Sequence, residues 1–175
     1  YSQPRLLTSG ELTLGGQEYA VRGESWMDHE FSTSALEEDQ VGWDWFALQL
    51  DDGSELMVFT LRTTEGSIDD YSQGMLILPD GSTRRLERKD FSITVTQWWQ
   101  SPHSGAQYPA GWVIDVLAED LRLEVSPLIS DQELRVSFTY WEGAVQAQGT
   151  RAGKAVTARG YVELTGYAHS MQGRL

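Results

Sequence analysis

The sequence predicts an all-β fold: an antiparallel meander closed into a barrel of about eight to ten strands. Three observations lead there. Apolar and polar residues alternate with a period of two along most of the chain, as in strands with one buried face. Glycine-containing pairs such as Gly-Gly and Asp-Gly separate the alternating runs, and these tolerate the positive φ of tight hairpins. Helical periodicity is nearly absent, so a long sheet has to cover its own apolar face and lose its edges by closing on itself.

Taken in order, "ELTLGGQEYAV" reads as a hairpin around Gly15-Gly16, and "FALQLDDGSELMVFTLR" as one around Asp52-Gly53. "GMLILPDGSTRRL" turns at Pro79-Asp80-Gly81, and "WVIDVLAEDLRLEV" turns near Glu119-Asp120. "GAVQAQGTRAGKAVTARGYVELTGY" supplies two late strands joined at Arg151-Ala152-Gly153. Two stretches read as loops long enough to rim a pocket: "TSALEEDQV", residues 33–41, and "SPHSGAQYPAG", residues 101–111. The 175 residues suit one domain with a real core.

Composition removes several classes of function. With 13 basic and 26 acidic residues the net charge is −13, which repels nucleic acid and anionic membranes. There is no cysteine, so disulfides, thiolate catalysis and cysteine-bound zinc are excluded. His29, His103 and His169 have no motif spacing, so no metal site is expected. No phosphate loop, nucleophile elbow or basic patch is present.

The stretch "GESWMDHEF" concentrates chemistry. As a strand it places Trp26, Asp28 and Glu30 on one face and Met27, His29 and Phe31 on the other. Asp28 and His29 then point apart. His29, between two apolar side chains, is either a proton donor or acceptor in an apolar cavity or a histidine hydrogen-bonded at the barrel rim. In "GWDWFALQL", alternation puts Asp44 with Phe46, Leu48 and Leu50 on the more apolar face, with Trp43, Trp45, Ala47 and Gln49 opposite. An inward Asp44 is desolvated and suited to general acid work, or it is paired, with Arg62 the nearest cation, or it caps backbone groups at the barrel end. The seven tryptophans and the tyrosines suit core packing or the lining of an apolar cavity. Trp26, Phe31, Trp43, Trp45, Phe46, Phe59, Tyr108 and Trp141 are the candidate ligand-binding residues.

The segments "GESWMDHEF", "GWDWFALQLDDGSELMVFTLR", "SPHSGAQYPAGW", "YWEGAVQAQG" and "GYVELTGY", in this order, resemble the AttH/CrtC-like family. That family includes carotenoid 1,2-hydratases (hydroxyneurosporene synthases) and bacterial predicted secreted hydrolases, and the resemblance covers nearly the whole chain. It implies a lipocalin-like barrel forming the C-terminal half of a two-domain protein, with "YSQPRL" as the link from an N-terminal domain. It also implies export, as a periplasmic protein or membrane-anchored lipoprotein, and chemistry without a cofactor. His29 matches the histidine of the hydratases' Asp-His segment, and Phe31 the aromatic just after it. The hydratases use a later tyrosine and aspartate; Phe59 to Leu61 carry neither.

Two readings follow. One is a hydratase-like enzyme that protonates an isolated isoprenoid double bond, with Asp28, His29 and Asp44 as the candidate acids. The other is a non-catalytic carrier of an apolar ligand, or an accessory protein partnered with an ABC-transporter permease. Binding of an apolar ligand is common to both, and nucleic acid is a partner in neither.

Overall fold

The computed structural model describes residues 1–31 and 36–173, and the chain forms two compact units, Tyr1–Thr33 and Ser34–Leu175.

The first unit is the hairpin predicted around Gly15-Gly16. Strand β1 (Ser2–Leu14) pairs antiparallel with β2 (Gln17–Asp28), and both turn glycines have positive φ, 57° and 83°. The register skips between Gln3 and Leu6, around Pro4, whose missing N–H cannot serve a ladder. Leu12 lies opposite Tyr19 and Gly10 opposite Val21, so Leu12, Leu14, Tyr19 and Val21 share one face and are exposed. β2 ends at Asp28, and the alternation expected to continue through Phe31 stops there. His29 instead closes the hairpin through its backbone: its N–H donates to the Tyr1 carbonyl (2.9 Å) and its carbonyl accepts from the Tyr1 amino group (2.8 Å).

The second unit is a strongly curled antiparallel sheet of ten strands. They are β3 (Gln40–Leu50), β4 (Glu55–Thr63), β5 (Gln73–Ile77), β6 (Thr83–Glu87), β7 (Phe91–Gln100), β8 (Gln107–Val116), β9 (Leu121–Pro127), β10 (Glu133–Arg135), β11 (Thr139–Arg151) and β12 (Lys154–Leu164). Their spatial order is β6-β5-β4-β3-β12-β11-β9-β8-β7, with β10 beside β11. This is a meander cut at one place. The first and last strands of the unit, β3 and β12, pair in the middle, while β6 and β7 form the two edges and are joined through the short 3-10 turn Arg88–Asp90.

Of the loop predicted over 33–41, residues 33–35 lie outside the described residues, and Gln40 and Val41 belong to β3. The loop predicted over 101–111 is shorter than expected, because β8 begins at Gln107. Pro109 suggests irregular chain, but it sits opposite Trp98 where the register shifts between Gln97 and Trp98, and a bulge tolerates proline.

Alternation decides what fills the curl. In β9, Leu121, Leu123 and Val125 are buried between exposed Arg122, Glu124 and Ser126. The same face of the other strands supplies Phe46, Leu48, Leu56, Val58, Leu76, Trp112, Ile114, Trp141, Val145 and Val162, all at most 1% exposed. Side chains with so little accessible surface border no space large enough for a water molecule, so this stretch of the interior is packed protein. At one end Arg151 holds Asp52 (3.0 Å) and Glu119 (3.3 Å), tying three hairpin turns together.

Strands β12 and β3 approach each other closely. A Cβ on Gly160 would overlap the carbonyl oxygen of Ala47, a backbone atom that cannot swing away. Gly160→Ala is therefore expected to destabilise the second unit by about 2–4 kcal/mol. Gly10→Ala, which meets nothing within 4 Å, should change stability by less than about 0.5 kcal/mol. Urea unfolding of the two variants checks the contrast.

Candidate functional site

Strand β3 enters the interior at its N-terminal end, where Gly42 and Asp44 occupy the inner face ahead of Phe46. Asp44 is only 7% exposed, and both carboxylate oxygens are engaged. Arg62 Nε, from the neighbouring β4, donates to Oδ1 at 3.0 Å; the Tyr167 hydroxyl, from beyond β12, donates to Oδ2 at 2.9 Å. The Arg62 guanidinium lies over the Tyr167 ring, 3.9 Å from its centroid, a cation–π contact. Its other arm donates to the Thr165 carbonyl. The Thr165 hydroxyl accepts from the Trp43 N–H at 2.9 Å. Asp44, Arg62, Thr165 and Tyr167, with the Trp43 backbone, thus form one polar cluster drawn from three segments.

Burial pushes the Asp44 carboxyl above the usual carboxylate range, and Arg62 and the Tyr167 hydroxyl pull part of the way back. Burial, then the Asp44 charge, push the Tyr167 phenol well up, with Arg62 opposing. Tyr167 therefore remains a hydrogen-bond donor throughout the neutral range. Asp44 has the titration direction of a general acid, but a proton on it has to be released from two existing contacts.

The outer face of the same strands is apolar as well. Trp43, Trp45, Met57, Phe59, Leu61 and Met75 are all half-buried there. Trp45 is directly opposite Phe59, and their rings stack with centroids 5.5 Å apart and an interplanar angle of 5°. The Trp45 indole nitrogen is buried and has no hydrogen-bond partner among the described residues.

The remaining candidates fall into two other places. Phe46 meets Trp112 edge to face at 5.5 Å, and Trp112 packs against Trp141 at 6.4 Å. Tyr108, fully buried, lies between Trp99 and Tyr167 and donates to Glu133 Oε1 at 3.1 Å. Phe46, Tyr108 and Trp141 are thus parts of the packed interior, and a ligand reaching them has to displace core.

In the first unit, Trp26 Nε1 donates to Asp28 Oδ1 at 2.9 Å, and the Ser2 hydroxyl donates to the same oxygen. His29 is exposed, stacked on Tyr1 at 5.2 Å and edge-on to Phe31, which is 81% exposed. Among the described residues of that unit, no apolar wall encloses His29. Among the described residues no group of three His, Asp or Glu side chains is placed to hold a metal.

Tyr167 and Thr165 escape sequence reasoning, because they lie 123 and 121 positions beyond Asp44 and outside any strand pattern. The local signal is Gly166, whose positive φ of 76° swings the chain out of β12 and turns Tyr167 back over the barrel end.

The strongly curled antiparallel sheet is that of a lipocalin-like β-barrel domain. The model of the AttH-like family matches residues 1–167, and the chain belongs to that family. It is similar to the crystal structure of a Nitrosomonas europaea protein described as a candidate AttH, with 36% identity and a TM-score of 0.85 over 95% of this chain and 51% of that one. It shares its fold with kievitone hydratase from Nectria haematococca, at 20% identity and a TM-score of 0.79 over 96% of this chain and 52% of that one. The chain spans about half the length of both. No curated protein matches it.

The Asp44 cluster makes a specific demand. Tyr167→Phe removes a hydrogen bond that favours the ionised carboxyl, so the Asp44 titration should move further up. Carboxyl carbon NMR across the acid range reads this directly; an unmoved titration contradicts the cluster. A carboxyl with a raised folded-state pKa contributes stability that is full below its unfolded value, near 3.8, and is lost as pH rises through the folded value. Asp44→Asn should remove that component of the pH dependence from urea unfolding.

Proposed function

We propose that the chain is the lipocalin-like domain of an AttH-type protein that takes up an apolar, isoprenoid- or lipid-like ligand on the aromatic outer face of β3 and β4. One observation carries this reading. Trp43, Trp45, Phe59 and Leu61 stand half-buried on the side of the sheet opposite the core, where β9 and β11 carry Glu, Gln and Ser. Strands apolar on both faces call for cover on both. The packed interior supplies one cover, and a flat apolar ligand lying along the Trp45–Phe59 stack supplies the other. Covering about 200 Å² of that face yields about 5 kcal/mol before the costs of ordering are subtracted. As a carrier, the protein would present this ligand to a membrane permease.

The test is titration of the full-length protein with farnesol and with palmitoleic acid in a calorimeter. Trp45→Ala is expected to weaken binding about tenfold, the loss of one aromatic wall. Leu117→Ala, at the exposed turn between β8 and β9, is expected to leave the affinity unchanged. Equal affinities in wild type and Trp45→Ala would sink the proposed location.

A hydratase reading is favoured by a different observation: the buried Asp44 carboxyl, titrating upward beside Tyr167. The reaction would move a proton from Asp44 to the less substituted alkene carbon. Water then bonds to the tertiary cation, and its proton returns to the carboxylate. Incubation with prenylated alkenes in oxygen-18 water separates the two readings. Label incorporation by wild type that disappears in Asp44→Asn, with binding retained, establishes the enzyme. No incorporation across the alkene panel leaves the carrier.

A further inference from the structure

The outer face of the other half of the sheet has a different character. Across β7, β8, β9, β11 and β12 lies a groove of about 700 Å³. Its walls include Gln97, Glu124, Ser126, Gln146, Gln148 and Arg159, all exposed. Register organises them into rows. Ser126, Gln146 and Arg159 are direct cross-strand neighbours, and Glu124, Gln148 and Thr157 form the adjoining row. Cross-strand neighbours stand about 5 Å apart, and successive rows on one face about 7 Å. The result is a grid of amide, hydroxyl and charged groups on the scale of a sugar ring.

Thr157 donates its hydroxyl to Asp51, but the side chains of Gln97, Glu124, Ser126, Gln146, Gln148 and Arg159 make no hydrogen bond or ion pair with a described residue. Arg62, Arg84, Arg122 and Arg151 each hold a carboxylate, while Arg159, like Arg22, Arg85, Arg88 and Arg135, holds none among the described residues. The groove therefore presents donors and acceptors that the fold does not use. Gly111, which lines the groove, keeps it open, since a Cβ there would crowd Thr96 and Gln97.

The composition selects the ligand class. One arginine and one glutamate leave these walls neutral within a chain of net charge −13, so nothing here attracts an ion. Three glutamines each offer an adjacent donor and acceptor, the pattern that reads neighbouring hydroxyls. Strand addition by an extended peptide is confined to the edge strand β7, because β8, β9, β11 and β12 are paired on both sides. They have no free backbone edge for strand addition. Trp98, next to Gln97 in edge strand β7 but outside the groove lining, is 53% exposed.

We propose that this groove is a second binding site, for a neutral, hydroxyl-rich oligosaccharide. The experiment is calorimetric titration of the full-length protein with cellohexaose, maltohexaose and chitohexaose at millimolar concentration. At least one should bind. Gln146→Ala and Arg159→Ala should each weaken it about tenfold, the loss of a hydrogen-bonding wall. Both substitutions remove exposed side chains, so melting temperature and affinity for farnesol should stay at wild-type values. Failure of all three sugars to bind, or binding that both substitutions leave unchanged, overturns the proposal. Either outcome leaves the apolar-ligand reading standing, because that face lies on other strands.

Discussion

The pairing of β3 with β12, in the register that sets Leu164 opposite Asp44 and Leu50 opposite Ala158, joins the two halves of the sheet. The other strands fan out from these two toward the edges. The ladder supplies the backbone bonds, and its N-terminal end on β3 is fastened by side chains. Asp44 on β3, Arg62 on β4 and Tyr167 beyond β12 share one cluster, so all three segments lose a partner if one slips. Removing a single member of a buried ion pair typically costs about 3–5 kcal/mol, because the remaining charge is left without compensation. That cost makes the cluster a device for fixing register at the place where the chain has to find a partner more than a hundred residues away. It also means that Asp44 can serve chemistry only by loosening the closure.

From this closure follows the difference between the two halves of the outer surface. β3 and β4 are apolar on both faces, whereas β9 and β11 alternate between buried and more exposed positions. A single curled sheet has one interior, and Phe46, Trp112, Ile114 and Trp141 are packed within it. The second apolar face of β3 and β4 lies on the other side of the sheet from that interior. On the proposed reading, the apolar patch would take lipid-like molecules and the polar groove hydroxylated ones.

Much of this is legible in the sequence, and the limits have physical causes. Turn chemistry is local, so Gly15-Gly16, Asp52-Gly53 and Ala152-Gly153 each mark a hairpin that the structure contains. Period-two alternation places Asp44 on the inner face, and hairpin proximity makes Arg62 its nearest cation. The β3–β12 pairing and the break between β6 and β7 are not legible, because alternation and turn chemistry are local and do not say which distant strands pair. Tyr167 is invisible because it follows a left-handed glycine, where alternation no longer applies. Phe46, Trp141 and Trp45 cannot be told apart as core or ligand surface, since an aromatic on an apolar strand reads the same on either face. Alternation misplaces His29 because that residue already lies past the end of β2.

The central claim is that an apolar ligand meets the outer aromatic face and leaves the packed interior undisturbed. Nitrogen-15 NMR of the tryptophan indoles during a farnesol titration tests it most directly, because each indole N–H reports its own surroundings. The Trp43 and Trp45 signals are expected to move while those of Trp112 and Trp141 stay in place. Movement of the Trp112 and Trp141 signals with Trp45 unaffected would contradict the claim.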